Sequence, residues 1–176
     1  MIRHAINNAK TFPQLERIVS NAPVTSGHNY LLSSIDEGSM WEVSPVKAEK
    51  VASIKKGQSN RMYHTNHCLG EVNKSIEVAN AISSTTHPRF NLLKEKIETI
   101  DSKETLIDLF HGHTNFPKSI CGHYKNNAQD PSATCGGGIY DFNNSEIYFW
   151  RGCPIYDQNF KNYHFLKKEY SFYKVK

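Results

Sequence analysis

The chain has 176 residues, a formal net charge of +4, and 38% hydrophobic, 11% aromatic and 22% charged residues. That composition supports a packed core and excludes wholesale disorder. A mean hydropathy of −0.59, with no run near the ~20 apolar residues of a spanning helix, excludes a polytopic membrane protein.

The charge is mild and no basic run exceeds a Lys-Lys pair, so neither nucleic acid nor a membrane is expected as a partner. Residues 1–8 are too polar for a secretory segment. Cys68, Cys121, Cys135 and Cys153 are widely spaced, and reduced thiols in a cytoplasmic protein are expected. No cofactor is expected. His64, His67 and Cys68 lie close in sequence, as do His111, His113 and His123. There is no Cys-x-x-Cys pair and no His-Glu-x-x-His helix, so no metal is assigned.

In chain order, Ile2, Ala5, Ile6 and Ala9 recur at helical spacing. A second helix starts at Thr11, a capping residue with Gln14 three positions later and Pro13 in the first turn. It ends at Asn21-Ala22-Pro23. From Gly27 the period changes to two. Residues 28–34 and 39–44 read as strands around an Asp36-Glu37-Gly38 turn, and 47–55 as a third, edge strand. Met62 to Thr65 reads as a strand after a Ser59-Asn60 turn. Residues 70–86 are polar, without period. Helices follow from Thr86 and from Asp101-Ser102 by capping logic. Residues 118–123 read as a strand and 124–132 as a polar loop. Residues 133–141 and 146–152 pair around Asn143-Asn144 and stop at Gly152-Cys153-Pro154. A last strand is expected within 163–173. The order predicts an α+β domain with antiparallel sheets.

Three segments carry candidate chemistry. Asn66, past the end of the 62–65 strand, can donate its amide to an oxyanion, or simply make a turn. The Gly136-Gly137-Gly138 run precedes a strand rather than a helix, so close packing fits better than a phosphate cradle. Ser119, Ser132, Cys121 and His123 include no Gly-x-Ser-x-Gly elbow. Cys121 and His123, two apart on a strand, would share a face as a dyad or as core residues.

Tyr63-His64-Thr65-Asn66-His67-Cys68-Leu69 resembles the central Thr-Asn-His motif of the isopenicillin N acyltransferase family, within the N-terminal nucleophile hydrolases. Four further segments follow the family order. They are Met40 to Pro45, Thr86 to Arg89, the Ser119-Ile120-Cys121 segment through His123, and the hairpin from Thr134 to Pro154. The resemblance covers about residues 2–155. It implies the C-terminal portion of an acyltransferase or amide hydrolase domain over 1–155, with 156–176 a tail. It implies an αββα sandwich working through a Cys acyl-enzyme on linear amides or acyl thioesters. By the same resemblance Asn66 contributes to the oxyanion hole, and Ser44 and His67 bind substrate. The nucleophile-bearing segment then lies upstream of residue 1, in the same gene or in a separate subunit. The alternatives are a catalytically inactive truncated homologue acting as an interaction module, and a small binding domain with a metal or thiol site at His64, His67 and Cys68.

Overall fold

The computed structural model describes residues 1–79, 82, 85–124 and 133–165. The predicted loop from 125 to 132, with Ser132, and the chain beyond 165 lie outside the described residues. The chain divides into two compact units, Met1–Thr86 and His87–Lys176.

The first unit opens with α1 (Ile2–Asn8) and α2 (Phe12–Ser20). Only Ala5 of α1 is buried, and Ile2 and Ile6 are exposed, so the predicted apolar face is only partly used. The Thr11 hydroxyl accepts from Gln14 N, and Gln14 Oε1 accepts from Lys10 N at 2.8 Å, one residue before the expected capping-box partner. The strands β1 (His28–Ser33), β2 (Glu37–Val43) and β3 (Ala48–Lys55) form an antiparallel sheet with β2 central. Ala5 and Val19 from the helices meet Leu32 and Val43 from the sheet in the core, with Phe12, Leu15, Ile18 and Trp41 against it. Burial of such side chains supplies roughly 1.5–3 kcal/mol each. The register slips by one residue beside Met40/Trp41, so Glu42 of β2 comes to lie opposite Glu49 of β3.

Two predictions need correction here. Residues 62–65 are not a strand: they run as irregular backbone held by side-chain hydrogen bonds. The polar stretch after residue 70 contains a helix, α3 (Glu71–Ile76), whose start depends on a distant carboxylate rather than on local capping residues.

α4 (Thr86–Lys96) ends in a single 3₁₀ turn, and α5 (Lys103–Phe110) carries a Ser102/Thr105 capping box. Residues 118–123 are irregular rather than a strand. β4 (Gly136–Asp141), β5 (Glu146–Arg151) and β6 (Lys161–Phe165) form a second antiparallel sheet with β5 central. β6 begins at Lys161, two residues before the predicted tail strand. The chain is thus α+β with antiparallel sheets, as expected. No helix among the described residues is long and apolar enough to cross a membrane.

The glycine run is a packing device. A Cβ on Gly136 would lie 2.2 Å from the Trp150 carbonyl oxygen, and one on Gly137 would lie 2.2 Å from the Trp150 ring. Gly138 has more room, with its nearest neighbour at 3.3 Å. Trp150 is itself buried and packed by Phe110 and His111. Gly136→Ala is therefore expected to cost ~1–3 kcal/mol, since backbone must shift. Gly138→Ala should cost clearly less, since its neighbours need give only a few tenths of an ångström. Chemical denaturation of the two variants separates this reading from a flexible or ligand-binding glycine loop, for which the two would behave alike.

Candidate functional site

The best-defined site in the first unit starts from two acidic residues. Glu42 and Glu49 face each other across β2 and β3, and Glu42 is only 4% exposed. Two neighbouring carboxylates repel unless hydrogen-bond donors satisfy them. Here the donors are backbone amides. Glu42 Oε1 accepts from Leu69 N at 2.5 Å and Oε2 from Gly70 N at 3.0 Å. Glu49 accepts from Val72 N at 3.0 Å and from Asn73 N at 2.7 Å, satisfying the first turn of α3. A Cβ at residue 70 would meet Glu49 Oε2 at 2.7 Å, so glycine is what lets the backbone come this close.

The same Glu42 Oε1 pairs with His64 Nε2 at 2.8 Å, while His64 Nδ1 bonds the Thr65 carbonyl. Both sides of residues 65–67 are thereby fixed. Thr86, 0% exposed, closes the corner. Its hydroxyl accepts from Asn66 N at 2.7 Å and donates to Thr65 Oγ1 at 2.9 Å. Thr65 Oγ1 donates in turn to the Thr86 carbonyl at 3.2 Å. His67 is buried, its Nδ1 3.1 Å from both threonine hydroxyls. Asn66 itself is exposed.

This corner lines a cleft of about 630 Å³, within the range of small-molecule sites. Ser44, His64, Asn66, His67, Cys68 and Asn73 all contribute to its wall. The structure therefore gathers the three sequence candidates Ser44, Asn66 and His67 around one cavity. Ser44 is also occupied locally: its hydroxyl accepts from Val46 N and Lys47 N and donates to the Lys47 carbonyl, forming the turn between β2 and β3. Asn73 is buried, and its Oδ1 has no hydrogen-bond partner among the described residues.

Glu42, Glu49, Asn73 and Thr86 are not among the candidates read from the sequence, and His64 is one only for a metal or thiol site. An acidic residue inside an otherwise apolar strand, as in Met40-Trp41-Glu42-Val43, was the one readable sign. Its partners lie 22 to 28 residues away and have no local pattern.

Cys68 is not a ready nucleophile. Burial, reinforced by the Glu77 carboxylate beside it, pushes its thiol up to about 12. Cys121 and Cys153 are buried, and Cys135 is exposed with its sulfur turned to the Ala133 carbonyl. Cys121 and His123 do come together, with sulfur and Nε2 3.8 Å apart.

Two outcomes follow from this geometry. Thr86→Val keeps the shape but removes the acceptor for Asn66 N, and should destabilise the chain by ~1–3 kcal/mol. Amide exchange at Asn66 should accelerate along with it; unchanged protection would show that the corner does not depend on Thr86. Alkylation of Cys68 by iodoacetamide should be negligible at pH 7 and rise tenfold per pH unit towards pH 12, because only the thiolate reacts. Glu77→Gln should speed it, by removing a charge that opposes ionisation. A plateau reached near pH 9 would contradict the assigned environment.

The family model for acyl-coenzyme A:6-aminopenicillanic acid acyl-transferase matches residues 1–155. The acyl-coenzyme A:6-aminopenicillanic-acid-acyltransferase 40 kDa form of Emericella nidulans is 28% identical over 126 residues. That match takes in 70% of this chain and 34% of the relative, so the chain spans about a third of that protein's length. The chain belongs to the acyl-coenzyme A:6-aminopenicillanic acid acyltransferase family.

Proposed function

We propose that the cleft beside β2 is the oxyanion side of an acyl-transfer site acting on a linear amide or an acyl thioester. The observation that carries this reading is the corner at residues 65–67. Its backbone is fixed by Glu42, His64 and Thr86, while Asn66 stands exposed at the wall of the cleft. An oxyanion donor works because it is already aimed before charge develops, and a backbone locked by buried hydrogen bonds meets that requirement.

In this reading a cysteine thiolate attacks the substrate carbonyl carbon, and the carbonyl oxygen becomes an oxyanion beside the Asn66 side-chain N–H. The C–N or C–S bond then breaks, and the amine or thiol leaves with the proton that the nucleophile's own α-amino group took from the thiol and held as an ammonium. Water or a second amine attacks the acyl-enzyme and regenerates the thiol. His67 and the Ser44 turn shape the wall that receives the acyl substrate.

The attacking cysteine is assigned to sequence outside these 176 residues, on the same polypeptide or on a separate subunit. The chemistry of the cysteines supports this: Cys68 beside the cleft is held protonated, and Cys121 and Cys153 are buried. Residues 1–155 are then the C-terminal portion of the catalytic domain. The family's four-layer αββα sandwich is the fold we assign to the complete domain, and helices with antiparallel sheets are the elements it is built from.

The test is Asn66→Ala in protein joined to the nucleophile-bearing segment. Turnover should fall ~10²–10³-fold, the loss typical of one oxyanion donor, with KM little changed. Unchanged turnover would remove Asn66 from the mechanism. Acylation of any of this chain's own cysteines by an activated thioester, read by intact mass, would overturn the assignment of the nucleophile elsewhere.

A further inference from the structure

The second unit contains a cluster that the acyl-transfer reading does not use. His113 follows α5, Cys121 and His123 lie in the irregular segment after it, and Cys153 follows β5. Their four donor atoms all lie within 4.8 Å of one another. It is the one grouping of this kind among the described residues.

The two sulfur–nitrogen distances are close to those of a shared tetrahedral centre, and the two imidazole nitrogens, closer than that, would move apart by about 0.5 Å around an ion. Zinc bonded to sulfur at ~2.3 Å and to imidazole nitrogen at ~2.05 Å places N and S donors about 3.5 Å apart and two N donors about 3.3 Å apart. Cys153 sulfur is 3.5 Å from His113 Nε2, and Cys121 sulfur is 3.8 Å from His123 Nε2. The two Nε2 atoms are 2.8 Å apart, with the rings near-parallel at 18°. Both histidines thus present the same nitrogen to the same point.

The surroundings suit a cation there. Cys121 is 1% and Cys153 2% exposed. Two thiols and two imidazoles crowded together satisfy one another poorly, since a thiol is a weak donor and a weak acceptor. The Ile155 backbone N–H donates to Cys153 sulfur at 3.4 Å, a contact that steadies a thiolate. The Ser119 hydroxyl donates to the Cys121 carbonyl at 2.6 Å and fixes that loop. Tyr156 packs edge-on against both rings, at 5.1 Å from His113 and 4.9 Å from His123.

We propose that His113, Cys121, His123 and Cys153 bind a structural zinc ion. Four protein ligands leave no open position for water or substrate, so the site is a staple rather than a catalytic centre. It ties the segment after α5 to the end of β5, where Gly152 turns the chain at φ 80°. Binding releases protons from the two thiols, so affinity falls as pH falls. The ligands come from three separated segments, which is why the absence of a Cys-x-x-Cys pair says nothing about it.

The experiment uses the full 176-residue chain, purified under reducing conditions without chelator. Metal analysis should find about one zinc per chain. Replacement by Co²⁺ should give the intense visible bands of a tetrahedral thiolate site, a readout that needs no variant. Removing zinc with a chelator should lower Tm by about 5–10 °C, and added Zn²⁺ at a hundredfold above Kd should restore it. The Cys121→Ser/Cys153→Ser variant should lose metal, and Cys135→Ser should keep it. Protein that holds neither Zn²⁺ nor Co²⁺ under these conditions, or that contains a Cys121–Cys153 disulfide, overturns the proposal. So does a double variant that still binds metal.

Discussion

The first unit is organised around one electrostatic constraint. Glu42 and Glu49 face each other across neighbouring strands, and their carboxylates are tolerable only because backbone amides come to meet them. Glu42 is buried, and unpaired it would leave water at a cost of several kcal/mol; Glu49 is half-buried beside it. The segment from Leu69 to Asn73 is the answer to that demand. It folds back over the sheet, starts a helix there and dispenses with a side chain at Gly70.

The site follows from this anchoring. Once Leu69 and Gly70 are fixed on Glu42, the preceding residues are constrained at one end. His64 on the same carboxylate constrains the other. What lies between is a short corner, and the Thr86 hydroxyl takes up its amide at Asn66. Buried hydrogen bonds in a low-dielectric setting make such a corner rigid. A rigid corner with the Asn66 side chain exposed at a cleft is the geometry on which the proposed oxyanion role rests.

The second unit solves a different problem. Its sheet is short, and its central strand carries Trp150, which needs space. Glycines opposite provide that space, and aromatic pairs such as Phe149 with Tyr163 extend the sheet's cover. Lys103 of α5 lies over the Tyr148 ring at 4.6 Å and adds a cation–π contact. Much of the rest is irregular backbone, and such segments need cross-links beyond sheet hydrogen bonds. Two cysteines and two histidines converge at the end of β5, among such irregular segments.

What the sequence by itself determined was whatever rests on local pattern. The capping residues Thr11 and Ser102 marked helix starts, period-two runs marked β1 to β5, and Gly136 to Gly138 reads as packing because no helix follows it. The family also showed itself in short motifs such as Thr65-Asn66-His67, since motif order survives in one dimension. Tertiary structure alone decided the rest. Residues 62–65 read as a strand because they follow a Ser59-Asn60 turn, but their partners are Glu42 and Thr86 rather than a neighbouring strand. α3 lacked a local cap because Glu49, more than twenty residues earlier, provides it. His113 and Cys153 lie 40 residues apart and meet only because the fold returns there. Local propensity writes itself along the chain, whereas a carboxylate, an amide or a thiol finds its partner only after the backbone has closed the distance.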